Sequence, residues 1–189
     1  MFYAKESGLM ESIRKGDKDA FAELAEPVIA KAYQSAFAIL RSRHLAEEAV
    51  QNALIDAYQA IMDGKEISNF APWFRCVIAK RAADLIRKEI RNKNKLDIEK
   101  VKLFDPGATP MEEVLKKERS DQLLEAVMSL DAEQRAVIVL YYFQELSIEE
   151  ISDILHLSAS NVKTRLHRAR KNLGRFISST FYNEKAVRV

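Results

Sequence analysis

"LSIEEISDILHLSASNVKTRLHRARKNL", Leu146 to Leu173, carries the sharpest local signal in the chain. Ser147 and Glu150 stand in the S-x-x-E spacing of a capping box, in which the serine hydroxyl accepts from a helix-starting N–H and the glutamate reaches back to the cap. Leu146 before the cap and Ile151 after it are placed as a hydrophobic staple. The spacing predicts a helix over 148–155. His156 and Leu157 then form a turn, Ser158 caps a second helix, and Leu157 and Val162 staple it. A short helix, a tight turn and a longer helix make a helix-turn-helix.

The second helix has two unlike faces. At about 100° per residue, Val162, Leu166, Ala169 and Leu173 fall in one inward stripe. Ser160, Thr164, His167, Arg168 and Lys171 lie opposite. From His156 to Arg175 there is no acidic residue, while Lys163, Arg165, Arg168, Arg170, Lys171 and Arg175 are cationic. Such a helix suits the major groove of duplex DNA: side chains near its start reach base edges, and flanking cations neutralise phosphates. The competing reading is a solvated basic helix on an ordinary bundle, which leaves the absence of acids unexplained.

Composition extends this outward. The chain has 189 residues, hydrophobic residues make up 48%, and glycine and proline number only 5 and 4. Such a sequence builds a helical core, because its abundant Ala, Leu, Glu, Lys and Arg lose little freedom in a helix. The net charge of +2 does not itself point to nucleic acid, so the placement of charge carries the meaning. Cys76 is the sole cysteine, and His44, His156 and His167 lack metal-ligand spacing; no disulfide, metal or cofactor is expected. No run approaches the ~20 apolar residues of a membrane span. The first residues show no apolar signal-peptide core, and a cytoplasmic setting is the expectation.

Upstream, residues 9 to 91 read as helices. A short one over "RKGDKDAFAELAE" turns Phe21 and Leu24 inward. The next, "VIAKAYQSAFAILRS", turns Ile29, Tyr33, Phe37 and Leu40 inward. "HLAEEAVQNALIDAYQAIM" does the same with Leu45, Val50, Leu54, Tyr58 and Ile61, and it carries no Lys or Arg between His44 and Asp63. Gly64 and Pro72 break the pattern. "PWFRCVIAKRAADLIRKEIRNKNK", from Pro72 to Lys95, then puts Phe74, Ile78, Ala82 and Leu85 on a core stripe. Trp73, Lys80, Asp84, Arg87 and Arg91 share a second, solvent-side stripe, with Lys88 beside it. An aromatic ring at the end of a basic ridge suits unstacked bases, which stack on the ring while cations hold the backbone. An indole capping the core at the helix end is the competing reading for Trp73. After Arg91 the pattern dissolves into turn signals, Asp105-Pro106-Gly107 and Pro110. It resumes near Lys116 with a helix over "RSDQLLEAVMSL" and another over "DAEQRAVIVLYYFQE", where Asp131 and Gln134 are placed as a capping box.

Two blocks in order, "RKGDKDAFAEL … AEEAVQNALIDAY … PWFRCVIAKRAADLIRK" and "LLEAVMSLDAEQRAVIVLYYFQELSIEEISDILHLSASNVKTRLHRARKNL", resemble the extracytoplasmic-function sigma factors, compact members of the bacterial sigma-70 family. The resemblance implies an all-α fold of two small helical domains joined by a linker. Residues 1–91 would bind core RNA polymerase and recognise and melt the minus-10 element. Residues 92–115 would be the linker, 116–180 the helix-turn-helix domain that reads the minus-35 element, and 181–189 a tail. It implies polymerase-gripping roles for Glu47, Glu48, Gln51 and Asn52, and minus-10 roles for Trp73, Lys80, Asp84, Arg87, Lys88 and Arg91. The minus-35 contacts would be Ser160, Asn161, Lys163, Thr164, Arg165, His167, Arg168 and Lys171. It also implies promoter DNA and an inhibitory anti-sigma factor as partners, and no enzymatic activity. The chain departs from the family pattern at Glu48, where Asp is usual, at Leu54 for Phe, at Lys80 for Asn, and at His156 for Gly. A free-standing helix-turn-helix regulator is the alternative, but it leaves the "AEEAVQNAL" surface without a role. A metal nuclease on Glu47, Glu48 and Asp56 lacks a second cluster of ligands.

Overall fold

The computed structural model describes residues 2–92 and 123–186. Among these the secondary structure is helical, with no strand. The chain divides into two compact units, Met1–Asp97 and Ile98–Val189. The expected linker lies outside the described residues apart from Asn92, as does the start of the second block at Lys116.

The first unit holds α1 (Phe2–Arg14), α2 (Lys18–Leu40), α3 (Arg43–Met62) and α4 (Phe70–Asn92). Asp17 caps α2 by accepting from the N–H groups of Asp19 and Ala20, and Ser42 caps α3 through the N–H of Leu45. The two helices expected on either side of Pro27 are one, since α2 runs through the proline without a break. Phe37, Ile39 and Leu40 are buried as a result, but Ile29, expected inside, is 37% exposed. On α3 the inward face also differs from expectation. Ala46, Ala49, Ala53, Ala57 and Ile61 are fully buried, while Leu45, Leu54 and Tyr58 are only half-buried. Methyl side chains let α2 and α4 approach α3 closely, which sets the spacing of the unit. The larger side chains sit at the rim, where Tyr58 meets Phe21 edge-on at 5.3 Å.

The first helix ties the others together. The Arg14 guanidinium donates from Nε to the Ile61 carbonyl at 3.2 Å and from Nη2 to the Lys65 carbonyl at 3.3 Å. It thereby ties α1 to the end of α3 and to the loop that follows it, adding a second donor to the Ile61 carbonyl beside the Gly64 N–H. At the other end of the connection, Glu6 Oε2 accepts from the N–H of Phe70, the first residue of α4, at 3.0 Å. Pro72 is therefore no breaker. It lies in the first turn of α4, where a missing N–H costs nothing. Phe74, Ile78, Ala82 and Leu85 are buried as their spacing predicts.

The second unit holds a helix over residues 123–129 (α5), α6 (Ala132–Ile138), α7 (Ile148–Leu155) and α8 (Ala159–Ala186). Between α6 and α7 the backbone widens into a π-helical turn, Val139–Phe143. That extra residue per turn buries Val139 and Leu140 and leaves Tyr141, Tyr142 and Phe143 exposed. Only half of the expected capping box at Asp131 forms. Asp131 accepts from the N–H of Gln134 at 2.8 Å, but the Gln134 side chain turns to Asn172 of α8. The box at Ser147 and Glu150 is complete, with 3.1 Å from the Glu150 N–H to Ser147 Oγ and 2.8 Å from the Ser147 N–H to Glu150 Oε2. Leu146 and Ile151 are buried behind it.

His156 ends α7 in the left-handed conformation, φ 53 and ψ 48. An L side chain there crowds its own backbone, while glycine does not. His156→Gly should strengthen the local fold by about 0.5–1 kcal/mol. The expected result is slower amide hydrogen exchange in α7 and α8; faster exchange would show that the imidazole contributes more than the strain costs.

Candidate nucleic-acid interface

The helix-turn-helix forms as its sequence predicts. Ser158 Oγ accepts from the Asn161 N–H at 3.2 Å and starts α8. Val162, Leu166 and Ala169 are at most 3% exposed, and Leu173 is half-buried. Packing that stripe on α6 and α7 leaves Ser160, Asn161, Lys163, Thr164, His167, Arg168 and Lys171 in solvent. The Thr164 hydroxyl donates back to the Ser160 carbonyl at 2.9 Å, so toward a ligand it is an acceptor. Arg165 is the exception among the expected base- and phosphate-facing residues. Its Nη2 lies 3.0 Å from Glu133 Oε2 of α6. The cause is rotational: Arg165 flanks the buried stripe rather than opposing it. Residues 181–186, read as a tail, continue α8 to Ala186, and 187–189 lie outside the described residues.

On α4 the ridge is present but less positive than its sequence suggests. Lys80 and Lys88 are exposed, while Asp84 pairs with Arg87 one turn on. The Arg91 side chain lies outside the described residues. Trp73 is half-buried: its ring stands 6.0 Å from that of Phe70, and Lys65 Nζ sits 5.4 Å from its centroid. The indole thus packs on the core residue Phe70 at the helix end, with the Lys65 ammonium over its ring. A cation over an indole face contributes about 0.5–1 kcal/mol at such a site.

On α3, Glu47 and Gln51 are exposed and Glu48 and Asn52 half-buried, along one side of the helix. Ile55 extends that side and is 54% exposed. Sequence reading missed Ile55 as a surface residue, because an isolated isoleucine at helical spacing reads as core. Asp56 has a structural partner. Arg81 of α4 grips it with both Nε and Nη2. That hydrogen bonding raises the Arg81 guanidinium above its ordinary value, against the opposing effect of partial burial. Among the described residues no group of three or more His, Cys, Asp or Glu is placed to hold a metal ion. Nor, among them, is any helix long and apolar enough to cross a membrane.

Comparison with known proteins agrees with this geometry. Residues 24–92 match the family model "Sigma-70 region 2" and residues 120–173 match "Sigma-70, region 4". The ECF RNA polymerase sigma factor SigW of Bacillus subtilis is 33% identical over 174 residues, spanning 87% of this chain and 92% of that protein. The ECF RNA polymerase sigma-E factor of Haemophilus influenzae is 26% identical over 178 residues, with 88% and 92% covered. In fold, the chain is similar to sigma factor RpoE of Bartonella quintana, solved with the anti-sigma factor NepR. The TM-score is 0.61 at 21% identity, over 86% of this chain and 98% of that one. It is also similar to CnrH, solved with the cytosolic domain of CnrY, with a TM-score of 0.55 at 21% identity over 93% and 98%. The chain belongs to the extracytoplasmic-function sigma factors of RNA polymerase, and it directs promoter-specific transcription initiation.

The Asp56–Arg81 pair joins the α3 surface to the α4 ridge. Both side chains are about a third exposed (31% and 39%), so solvent screens the charges, but the bidentate geometry fixes them. A double-mutant cycle with Asp56→Ala and Arg81→Ala should give a coupling energy of about 1 kcal/mol in thermal unfolding of the first unit. Strict additivity would show that the pair contributes nothing.

Proposed function

We propose that the two units read two promoter elements and that α3 carries the attachment to core polymerase. The observation that carries this reading is the outward face of α8: basic, free of acids as far as Arg175 and held in solvent by a buried stripe on the other side. Lys163, Thr164, His167 and Arg168 stand near the start of the helix, where a recognition helix meets base edges in the major groove. Ser160, Asn161 and Lys171 flank them toward the phosphates. This is the minus-35 reader. In the first unit, Lys80, Arg87, Lys88 and Arg91 hold the backbone of the minus-10 strand, and Trp73 offers a face for a base that has left the stack. Asp84 sets the position of Arg87 through their ion pair. Unstacking costs a few kcal/mol per base, and binding the open form offsets that cost and shifts the duplex toward melting. Lys80 stands where the family has Asn, so a cation replaces an amide beside the bases.

Glu47, Glu48, Gln51 and Asn52 form the polymerase-facing surface, with Ile55 as its apolar edge. A helix face that is acidic and free of Lys and Arg from His44 to Asp63 suits a basic partner and repels DNA, which separates the protein-binding surface from the nucleic-acid ridge. Of the structurally similar proteins, sigma factor RpoE was solved with the anti-sigma factor NepR, and CnrH with the cytosolic domain of CnrY. That supports control of this chain by an anti-sigma factor that masks one of these surfaces, in the cytoplasm.

Arg168→Ala should weaken binding of the reconstituted polymerase complex to its promoter by about 1–3 kcal/mol and relax preference at the contacted base. Lys171→Ala should weaken binding to all sequences alike and reduce the salt slope by about 1. Competition binding on duplexes with single-base changes separates the two. An Arg168→Ala protein with unchanged base preference would move base reading off this face.

A further inference from the structure

We propose that Glu133 is a positioning residue for promoter recognition: with Gln134 it sets the roll of α8, and Arg165 belongs to that brace rather than to the DNA contacts. The proposal rests on the reading of α8 as the recognition helix. Two bonds tie the first turn of α6 to one flank of α8. Glu133 Oε2 meets Arg165 Nη2 at 3.0 Å, and Gln134 Oε1 accepts from Asn172 Nδ2 at 2.8 Å. Arg165 and Asn172 are seven residues apart, which is about 10 Å along the helix and nearly the same angle around it. One bond would let α8 pivot about the contact. Two bonds at that separation, beside the buried stripe of Val162, Leu166 and Ala169, resist rotation about the helix axis as well as tilting.

The α6 end of the brace is itself held. Asp131 accepts from the Gln134 N–H at 2.8 Å, which fixes the first turn that carries both brace residues. Below that turn the Arg135 guanidinium is buried and donates to the Leu130 carbonyl at 2.8 Å. Glu133 also neutralises one cation of a helix that has no acidic residue of its own before Arg175. Arg165 stands three residues from Arg168, close enough for mutual repulsion. Pairing with Glu133 draws Arg165 toward α6 and leaves Arg168 as the outward guanidinium of that turn. The Arg165 side chain is 26% exposed and that of Glu133 56%, so the brace is a modest contact whose effect lies in orientation more than in stability.

Reversing the pair tests the proposal. Glu133→Arg, Arg165→Glu and the double variant are each reconstituted with core polymerase. Initiation is then compared on a promoter carrying its upstream element and on one with that element scrambled. Each single reversal should lower the ratio of the two rates by about fivefold, and the double should restore it to within about twofold of the unsubstituted protein. Arg165→Ala should lower the same ratio while the salt dependence of promoter binding stays as it was. A merely structural effect would lower thermal stability and initiation on both promoters together, without changing the ratio. If the double reversal is no better than Arg165→Glu alone, or Arg165→Ala reduces the salt slope by about 1, Arg165 is a phosphate contact and the proposal fails. A ratio near one for the unsubstituted protein would overturn the reading of α8 itself, and the brace with it.

Discussion

Burial of Val162, Leu166 and Ala169 is the constraint on which the rest of the second unit depends. Once that stripe packs, the helix can present only one set of side chains to solvent, and in this sequence the set is basic. The capping box at Ser147, the left-handed turn at His156 and the cap at Ser158 then fix where the helix begins. Base-reading chemistry needs that start to be well defined, because the residues that meet base edges lie in the first turns of a recognition helix. Polar bonds to α6 add what apolar packing supplies poorly, a defined angle of roll.

The first unit solves a different problem by related means. It carries two surfaces of opposite character on adjacent helices, an acidic one on α3 and a basic ridge on α4. Close packing through alanines brings those helices near, and the bidentate Asp56–Arg81 pair bridges them. The helix α1 closes the connection between them from outside, with Arg14 on the Ile61 carbonyl of α3 and the Lys65 carbonyl after it, and Glu6 on the first N–H of α4. The relation between the two surfaces is thus set by capping and charge pairing as well as by the core.

Much of the helix-turn-helix was legible because its signals are local. A cap, a staple and a period lie within a few residues of one another, and the structure reproduces the caps and the buried period. The core stripe of α4 was equally legible. What the sequence concealed depends on partners distant along the chain. Nothing near Glu6 announces that it caps a helix 64 residues away. Asp56 reads as a solvated acid until Arg81 is beside it, and Arg165 reads as one more cation of a basic helix until Glu133 is beside it. The alanine face of α3 was missed for another reason: size suggested that leucine and tyrosine would be inside, whereas close helix approach favours the smallest side chains. Tyr141, Tyr142 and Phe143 read as part of a regular helix, and a single π-helical turn moved them to the surface.

One chain reading two separated promoter elements in concert with polymerase leaves its mark in run-off transcription. The purified protein is mixed with sigma-free bacterial core polymerase and a randomised promoter library, and the RNA starts are sequenced. Starts are expected at a fixed distance downstream of two motifs with constant spacing. Absence of transcripts, together with tight duplex binding by the protein alone, would contradict that reading.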